Sequence, residues 1–182
     1  MAEAPPLGGN VETLTVGPGC FWTFDAVVRR TPGVTSSVVG FAGDHGPPPN
    51  YEDYLRYGLN PQKFVEAVRL TFRPSQISLE EVLGLFFRSH DPTTPNQSGA
   101  DVGTIYHSTI FYADEDQRER AEKVTSLVQQ ELPRTVVTDI RPYQQFFEAG
   151  PDQQDFYNRN PGQFYCQAVI RPKIRTLGLR TD

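Results

Sequence analysis

Apolar and polar residues alternate along Val11-Glu12-Thr13-Leu14-Thr15-Val16, predicting a strand over 11–16. After Gly17-Pro18-Gly19-Cys20 the period changes. Phe24-Asp25-Ala26-Val27-Val28-Arg29-Arg30 carries apolar residues at helical spacing, predicting a helix over 21–30 that Thr31-Pro32-Gly33 stops. The β-branched run 34–42 reads as a second strand. Residues 43–61 form a long Pro-, Gly- and aromatic-rich loop, with a short helical turn around Tyr54, Leu55 and Tyr57. A third strand spans 64–72 and places Phe64, Glu66, Val68, Leu70 and Phe72 on one face. Ser78-Leu79-Glu80-Glu81 is a capping box. It opens a helix with the stripe Leu79, Val82, Leu83, Phe86 and Phe87, ending near His90 before Asp91-Pro92. A second polar loop over 93–104 leads to a strand at 105–112. Asp114 then caps a helix with Ala121, Val124, Leu127 and Val128 facing inward. A strand at 135–141 follows. Residues 142–162 read mostly as loop, with a helical turn at Asp155-Phe156-Tyr157, and 165–170 as a short apolar strand.

The order β-α-β-β-α-β, then a further helix and strand, is a split β-α-β pattern. It predicts an α+β two-layer sandwich, a ferredoxin-like core with long loops and an extended C-terminal segment. A thioredoxin-like sheet is the alternative, and the chain has no Cys-x-x-Cys motif for it.

The 182 residues suffice for one cored domain, expected over 10–182. Pro5, Pro6, Gly8 and Gly9 make 1–9 a flexible tail. The net charge of −5 gives no basic footprint for nucleic acid. No apolar run has membrane-spanning length. Residues 1–9 carry no Lys or Arg and no apolar core of a signal peptide, so a cytoplasmic location is expected. Two cysteines, Cys20 and Cys166, are too few for a disulfide framework. His45, His90 and His107 do not combine with them at metal-ligand spacing, so no metal is expected.

Cys20 sits where a strand turns into a helix. Helix N-terminal N–H groups are unpaired and carry partial positive charge, so this thiol is expected to ionise readily and act as a nucleophile. The other reading is a small buried Cys beside Phe21 and Trp22. Glu66 is the one acid in an apolar row. Either its carboxylate reaches water at a strand end, or burial raises its pKa and makes it a proton donor near neutrality.

Three pieces occur in a telling order: Gly19-Cys20-Phe21-Trp22, Glu66 after Phe64-Val65, and Asp101-Val102-Gly103-Thr104-Ile105-Tyr106-His107-Ser108. With them the chain resembles the peptide methionine sulfoxide reductases of the A type over residues 11–174. Gly40-Phe41-Ala42-Gly43, His90-Asp91-Pro92-Thr93, Phe146-Phe147-Glu148-Ala149 and Asn160-Pro161-Gly162 before Tyr165-Cys166 add to the likeness. The chain departs from it at Gln62-Lys63, where the family usually has Gly-His. It also has Asp152-Gln153-Gln154 in place of Tyr-His-Gln, and Gln167-Ala168-Val169 in place of a Gly-rich tail.

The resemblance implies a catalytic domain over 10–182 that reduces methionine S-sulfoxide, free or in proteins. It implies Cys20 as nucleophile, Glu66 as acid, and Phe21 and Trp22 as the pocket for the substrate methyl. Tyr51, Asp101 and Tyr106 would surround the sulfoxide oxygen, and Cys166 would resolve the sulfenic acid left on Cys20. No bound cofactor is implied, only an external thiol reductant such as thioredoxin, and a monomer is expected. Other readings of the same residues are loop anchors for Tyr51 and Tyr106, a turn residue for Asp101 and an inert core thiol for Cys166. Other functions for the chain are a non-catalytic module binding methionine-sulfoxide peptides, or a peroxide-sensing thiol protein.

Overall fold

The computed structural model describes residues 10–182 apart from Pro49, and the tail expected at 1–9 lies outside the described residues. In chain order the elements are β1 (Glu12–Gly17), α1 (Phe21–Arg29), β2 (Val34–Gly43), α2 (Tyr51–Tyr57), β3 (Val65–Phe72), α3 (Leu79–Ser89), β4 (Gln97–Ser98), β5 (Asp101–Val102), β6 (Thr109–Tyr112), α4 (Glu115–Glu131), β7 (Asp139–Pro142), β8 (Gln145–Glu148), α5 (Phe156–Arg159) and α6 (Arg171–Thr176). Side-chain caps start three of the helices. Asn50 accepts from the Glu52 N–H at 3.0 Å, Ser78 from Glu81 at 3.1 Å, and Asp114 from Gln117 at 2.8 Å.

Among the described residues, six strands form one sheet in the order β7-β6-β1-β3-β2-β8. Every pair is antiparallel except β6 with β7. The inward face of β1, β2, β3 and β6 supplies Leu14, Val16, Val39, Val68, Leu70 and Ile110. Against it pack Phe24, Val27, Val82 and Phe86 from α1 and α3, with Ala121 and Val124 of α4. This is the α+β arrangement of helices on a sheet that the pattern predicts. A smaller cluster, Ala42, Val65, Ala67 and Phe111 with Phe146, covers part of the other face. Buried Asp25 ties α1 to β2. Its carboxylate accepts from Arg29 Nε at 2.9 Å and from the Ser37 hydroxyl at 2.5 Å.

Several predicted features differ. Of the strand expected at 135–141 only the part from Asp139 is extended. Leu127 of α4 is exposed rather than facing inward. Three further segments depart from their expected form. Only 109–112 of the strand expected at 105–112 is extended. Thr104–Tyr106 is a 3₁₀ turn, started by Gly103 at φ 152°, where a Cβ would overlap the Tyr54 hydroxyl. The region read as loop contains β8, whose Phe147 pairs with Phe41 on the outer edge of β2. Residues 165–170 are helical rather than extended: Cys166–Ile170 is a π-helical turn running into α6. Cys166, Ile170 and Ile174, four apart, bury one stripe against Ala26 and Tyr157, and that helical spacing outweighs the local apolar run.

Phe24 is fully buried and meets Phe86 edge-on at 6.0 Å, anchoring α1 to α3. Phe24→Ala is expected to cost roughly 3–5 kcal/mol of unfolding free energy. Urea denaturation checks this, and a loss under about 1 kcal/mol would show that α1 is held by other contacts.

Candidate active site

The turn from β1 into α1 creates the site. Gly19 at φ 81° turns the chain so closely against the β4–β5 hairpin that a Cβ there would overlap the Ser98 side chain. Cys20 follows as the N-cap of α1, almost buried at 7% exposure, and its N–H donates to Ser98 Oγ at 3.4 Å.

The thiol does not ionise as the helix terminus alone predicts. Its pKa is pushed up to about 12, first by burial and then by the neighbouring charge of Glu66. The Tyr165 hydroxyl and the Trp22 and Thr23 N–H groups favour the thiolate and are outweighed. Partial charges at a helix end offset only part of the loss of water around a buried anion.

Glu66 is the second residue of β3, opposite Phe41 of β2, on the same face as Val68 and Leu70. That face is covered by α1, so the carboxyl lies under the helix N-terminus and accepts from the Phe21 N–H at 3.3 Å. Burial raises its pKa to about 7, and the charge of Asp101 pushes the same way. Hydrogen bonds from Phe21 N–H and the Tyr106 hydroxyl pull it down, by less. Of the two sequence readings for Glu66, the desolvated carboxyl is the one observed.

Cys20 and Glu66 open into a cavity of about 520 Å³. Phe21, Trp22, Tyr51, Asp101 and Tyr106 line it, so seven of the eight residues singled out from the sequence converge here. One side is apolar: Phe21 packs on Phe41 with ring centroids 5.8 Å apart, and Trp22 stacks on Phe156 at 3.7 Å. The other side is polar. Burial and the charges of Glu66 and Asp101 raise the Tyr106 pKa and keep its hydroxyl a donor. Tyr51, at the start of α2, is 60% exposed at the mouth.

Cys166 is the exception. It is fully buried behind α1 with Ala26, Ile170 and Ile174, and does not line the cavity. Burial raises its thiol pKa as well. Tyr165 takes the place facing Cys20, and its hydroxyl donates to Asp101 Oδ2 at 3.4 Å. Tyr165, Gln153, Phe41 and Ile105 are cavity residues that the sequence reading missed. The spacing of Cys166, Ile170 and Ile174 was the available signal for Tyr165, because it turns Cys166 inward and its neighbour elsewhere. Among the described residues, no group of three His, Cys, Asp or Glu is placed to hold a metal. Among them too, no helix is long and apolar enough to cross a membrane.

Comparison with known proteins agrees with this chemistry. Residues 12–180 match the family described as peptide methionine sulfoxide reductase. The chain is 42% identical over 165 residues to the peptide methionine sulfoxide reductase MsrA of Saccharolobus solfataricus, covering 91% of this chain and 92% of that one. The reduced form of Mxr1 from Saccharomyces cerevisiae superposes with a TM-score of 0.77 at 27% identity, covering 90% of this chain and 92% of that one. Mxr1 in complex with Trx2 shares the fold, with a TM-score of 0.57 at 22% identity over 85% of this chain and 88% of that one. Profile, relatives and fold lead to one conclusion: the chain belongs to the peptide methionine sulfoxide reductase family, in its A type.

Proposed function

We propose that this cavity reduces methionine S-sulfoxide, free or in polypeptides, with Cys20 as nucleophile and Glu66 as proton donor. One observation carries the reading: a carboxyl with its pKa raised to about 7 shares with Cys20 a cavity that is apolar on one side and polar on the other. A methyl sulfoxide has those two characters. Its methyl fits against Phe21 and Trp22, and its oxygen meets Glu66, Tyr51 and Tyr106.

The step balances with one proton on the Cys20–Glu66 pair. The Cys20 sulfur attacks the sulfoxide sulfur while Glu66 passes the proton to the oxygen. The substrate S–O bond then breaks and methionine leaves, two electrons reduced. Oxygen and proton remain on Cys20 as a sulfenic acid. The tyrosine hydroxyls stabilise charge on the oxygen. Protonation of Glu66 also removes the charge that adds to burial in holding Cys20 as a thiol.

Cys166 condenses with the sulfenic acid, releasing water and forming a Cys20–Cys166 disulfide. An external dithiol then reduces that disulfide by exchange and leaves with a disulfide of its own. The complex of the structurally similar Mxr1 with Trx2 supports a thioredoxin-type reductant. Cys166 takes part as the resolving thiol once the turn Cys166–Ile170 leaves its apolar cluster. We place residues 10–182 as a monomeric catalytic domain in the cytoplasm.

Cys20→Ser is expected to abolish turnover of the S epimer with dithiothreitol. Wild-type protein inert toward both epimers would sink the reading. Glu66→Gln should slow the single-turnover rate at pH 7 by roughly 10²–10⁴. A reacting pair that holds one proton exists between the two pKa values, about 7 and about 12. The wild-type rate should therefore level off above about pH 7, while that of Glu66→Gln keeps climbing with thiolate. Parallel profiles would remove Glu66 as the acid. Thiol counting after excess sulfoxide without reductant tests Cys166: loss of both thiols is expected, and one surviving thiol would mean direct reduction of Cys20.

A further inference from the structure

Two large apolar side chains beside the cavity mouth are left uncovered. On α2, Tyr54 is buried, while Tyr51 and Leu55 lie one helical turn apart on another face. Tyr51 lines the cavity, and Leu55, 68% exposed, extends the same strip away from it. The second side chain comes from the helical segment that carries Tyr165 into the cavity and Cys166 into the core. Each helical residue turns the chain by about 100°. Phe164, two positions before Cys166, therefore points nearly opposite to it, into solvent beside Tyr165, and is 83% exposed. Apolar residues from two distant segments that border one opening form a patch rather than a scatter. The charges around this opening are acidic. Asp101 lines the cavity, Asp53 is exposed on α2, and Asp152 accepts from Gln153 of the cavity wall at 3.0 Å. Arg56, the one cation of α2, is paired with Glu52 at 3.0 Å.

We propose that Leu55 and Phe164 form a rim that selects polypeptides whose sulfoxide stands between apolar residues, and that the acidic mouth disfavours acidic neighbours. The proposal rests on the sulfoxide reading of the cavity and narrows its substrate class. Continuity with the cavity identifies the occupant. A polypeptide whose methionine side chain enters the cavity must lay its flanking residues across the rim. Residues of an extended chain follow one another at about 3.3 Å, so the first and second neighbours reach as far as one turn of α2, about 5.4 Å. Apolar neighbours there take Leu55 and Phe164 out of water. A carboxylate there meets Asp53 and Asp101, with the Arg56 charge already engaged. Free methionine sulfoxide has no flanking residues, so the rim leaves its reduction unchanged.

The test uses blocked pentapeptides with a central methionine S-sulfoxide flanked on both sides by Leu or by Asp, beside free methionine S-sulfoxide, with dithiothreitol as reductant. Wild type is compared with Leu55→Ser, Phe164→Ser and, as a control, Leu127→Ser, whose side chain is exposed on α4 outside the rim. Substitutions at such exposed positions leave the fold intact. Wild type is expected to reduce the Leu-flanked peptide with a kcat/KM about 10-fold or more above the Asp-flanked one. Leu55→Ser and Phe164→Ser should each lower the Leu-flanked value about 3- to 10-fold, as for a side chain partly covered on binding, with free sulfoxide within about twofold of wild type. Leu127→Ser should change neither. Equal wild-type rates on the two peptides, or rim variants that slow free and peptide sulfoxide alike, would overturn the proposal. So would rim variants that match wild type with dithiothreitol and slow only with thioredoxin, since the rim would then serve the reductant. Binding of the two peptides to Cys20→Ser protein, read from the fluorescence of Trp22, needs no turnover. A wild type that reduces no sulfoxide would therefore defeat the functional reading, while tighter binding of the Leu-flanked peptide would still uphold the rim and equal binding would overturn it.

Discussion

The structure depends on the burial of one carboxyl, Glu66, beneath the N-terminus of α1. The sheet puts Glu66 on the face that the helices cover, and α1 begins directly over it, so that Phe21 N–H donates to its Oε1. Burial lifts the carboxyl to about 7, and its charge helps hold the adjacent thiol up to about 12. Neither value arises from an exotic residue. Both follow from taking two ionisable groups out of water side by side, with too few compensating donors to restore their ordinary values.

That arrangement opposes folding at neutral pH. The folded-state pKa of Glu66 lies above the ordinary 4.5, so the folded chain holds this proton more tightly than the unfolded one. Its contribution to stability is present below 4.5 and lost as pH rises to about 7. The closely packed layer of Phe24, Val27, Val68, Leu70 and Phe86 beneath the site supplies the apolar burial that offsets this cost. The division suits the chemistry: the sheet and α1 hold the reacting pair, and the segments that complete the pocket come from loops and short elements. Tyr51 opens α2, Asp101 rides on a two-residue strand, and Tyr106 ends a 3₁₀ turn. The loop around Gly150 is tied back by the Gln154 side chain, which bonds to Val39 of β2 and to the Ala149 carbonyl.

Much of this was legible from periodicity. The alternation of 64–72 marked Glu66 as the odd acid in an apolar row, and the capping residues Ser78 and Asp114 marked two helix starts correctly. What was misread was short or compensated elsewhere. β8 is four residues long and becomes a strand because β2 offers a free edge at Gly40–Gly43, a partner about a hundred residues away. The segment 165–170 looked extended because its apolar residues are adjacent, yet the stripe that matters, Cys166-Ile170-Ile174, continues beyond it.

The sequence by itself determined the order of the main elements, the strand-to-helix position of Cys20 and the residue types of the reacting pair, because those rest on local periodicity and on chemistry that each side chain carries. Only the tertiary structure decided the protonation of that pair, the turning of Tyr165 toward Cys20 with Cys166 hidden behind α1, and the stacking of Phe156 on Trp22. These depend on solvent exclusion and on contacts between segments far apart in the chain. A thiol at a helix start favours ionisation locally, and burial beside a carboxylate reverses that preference.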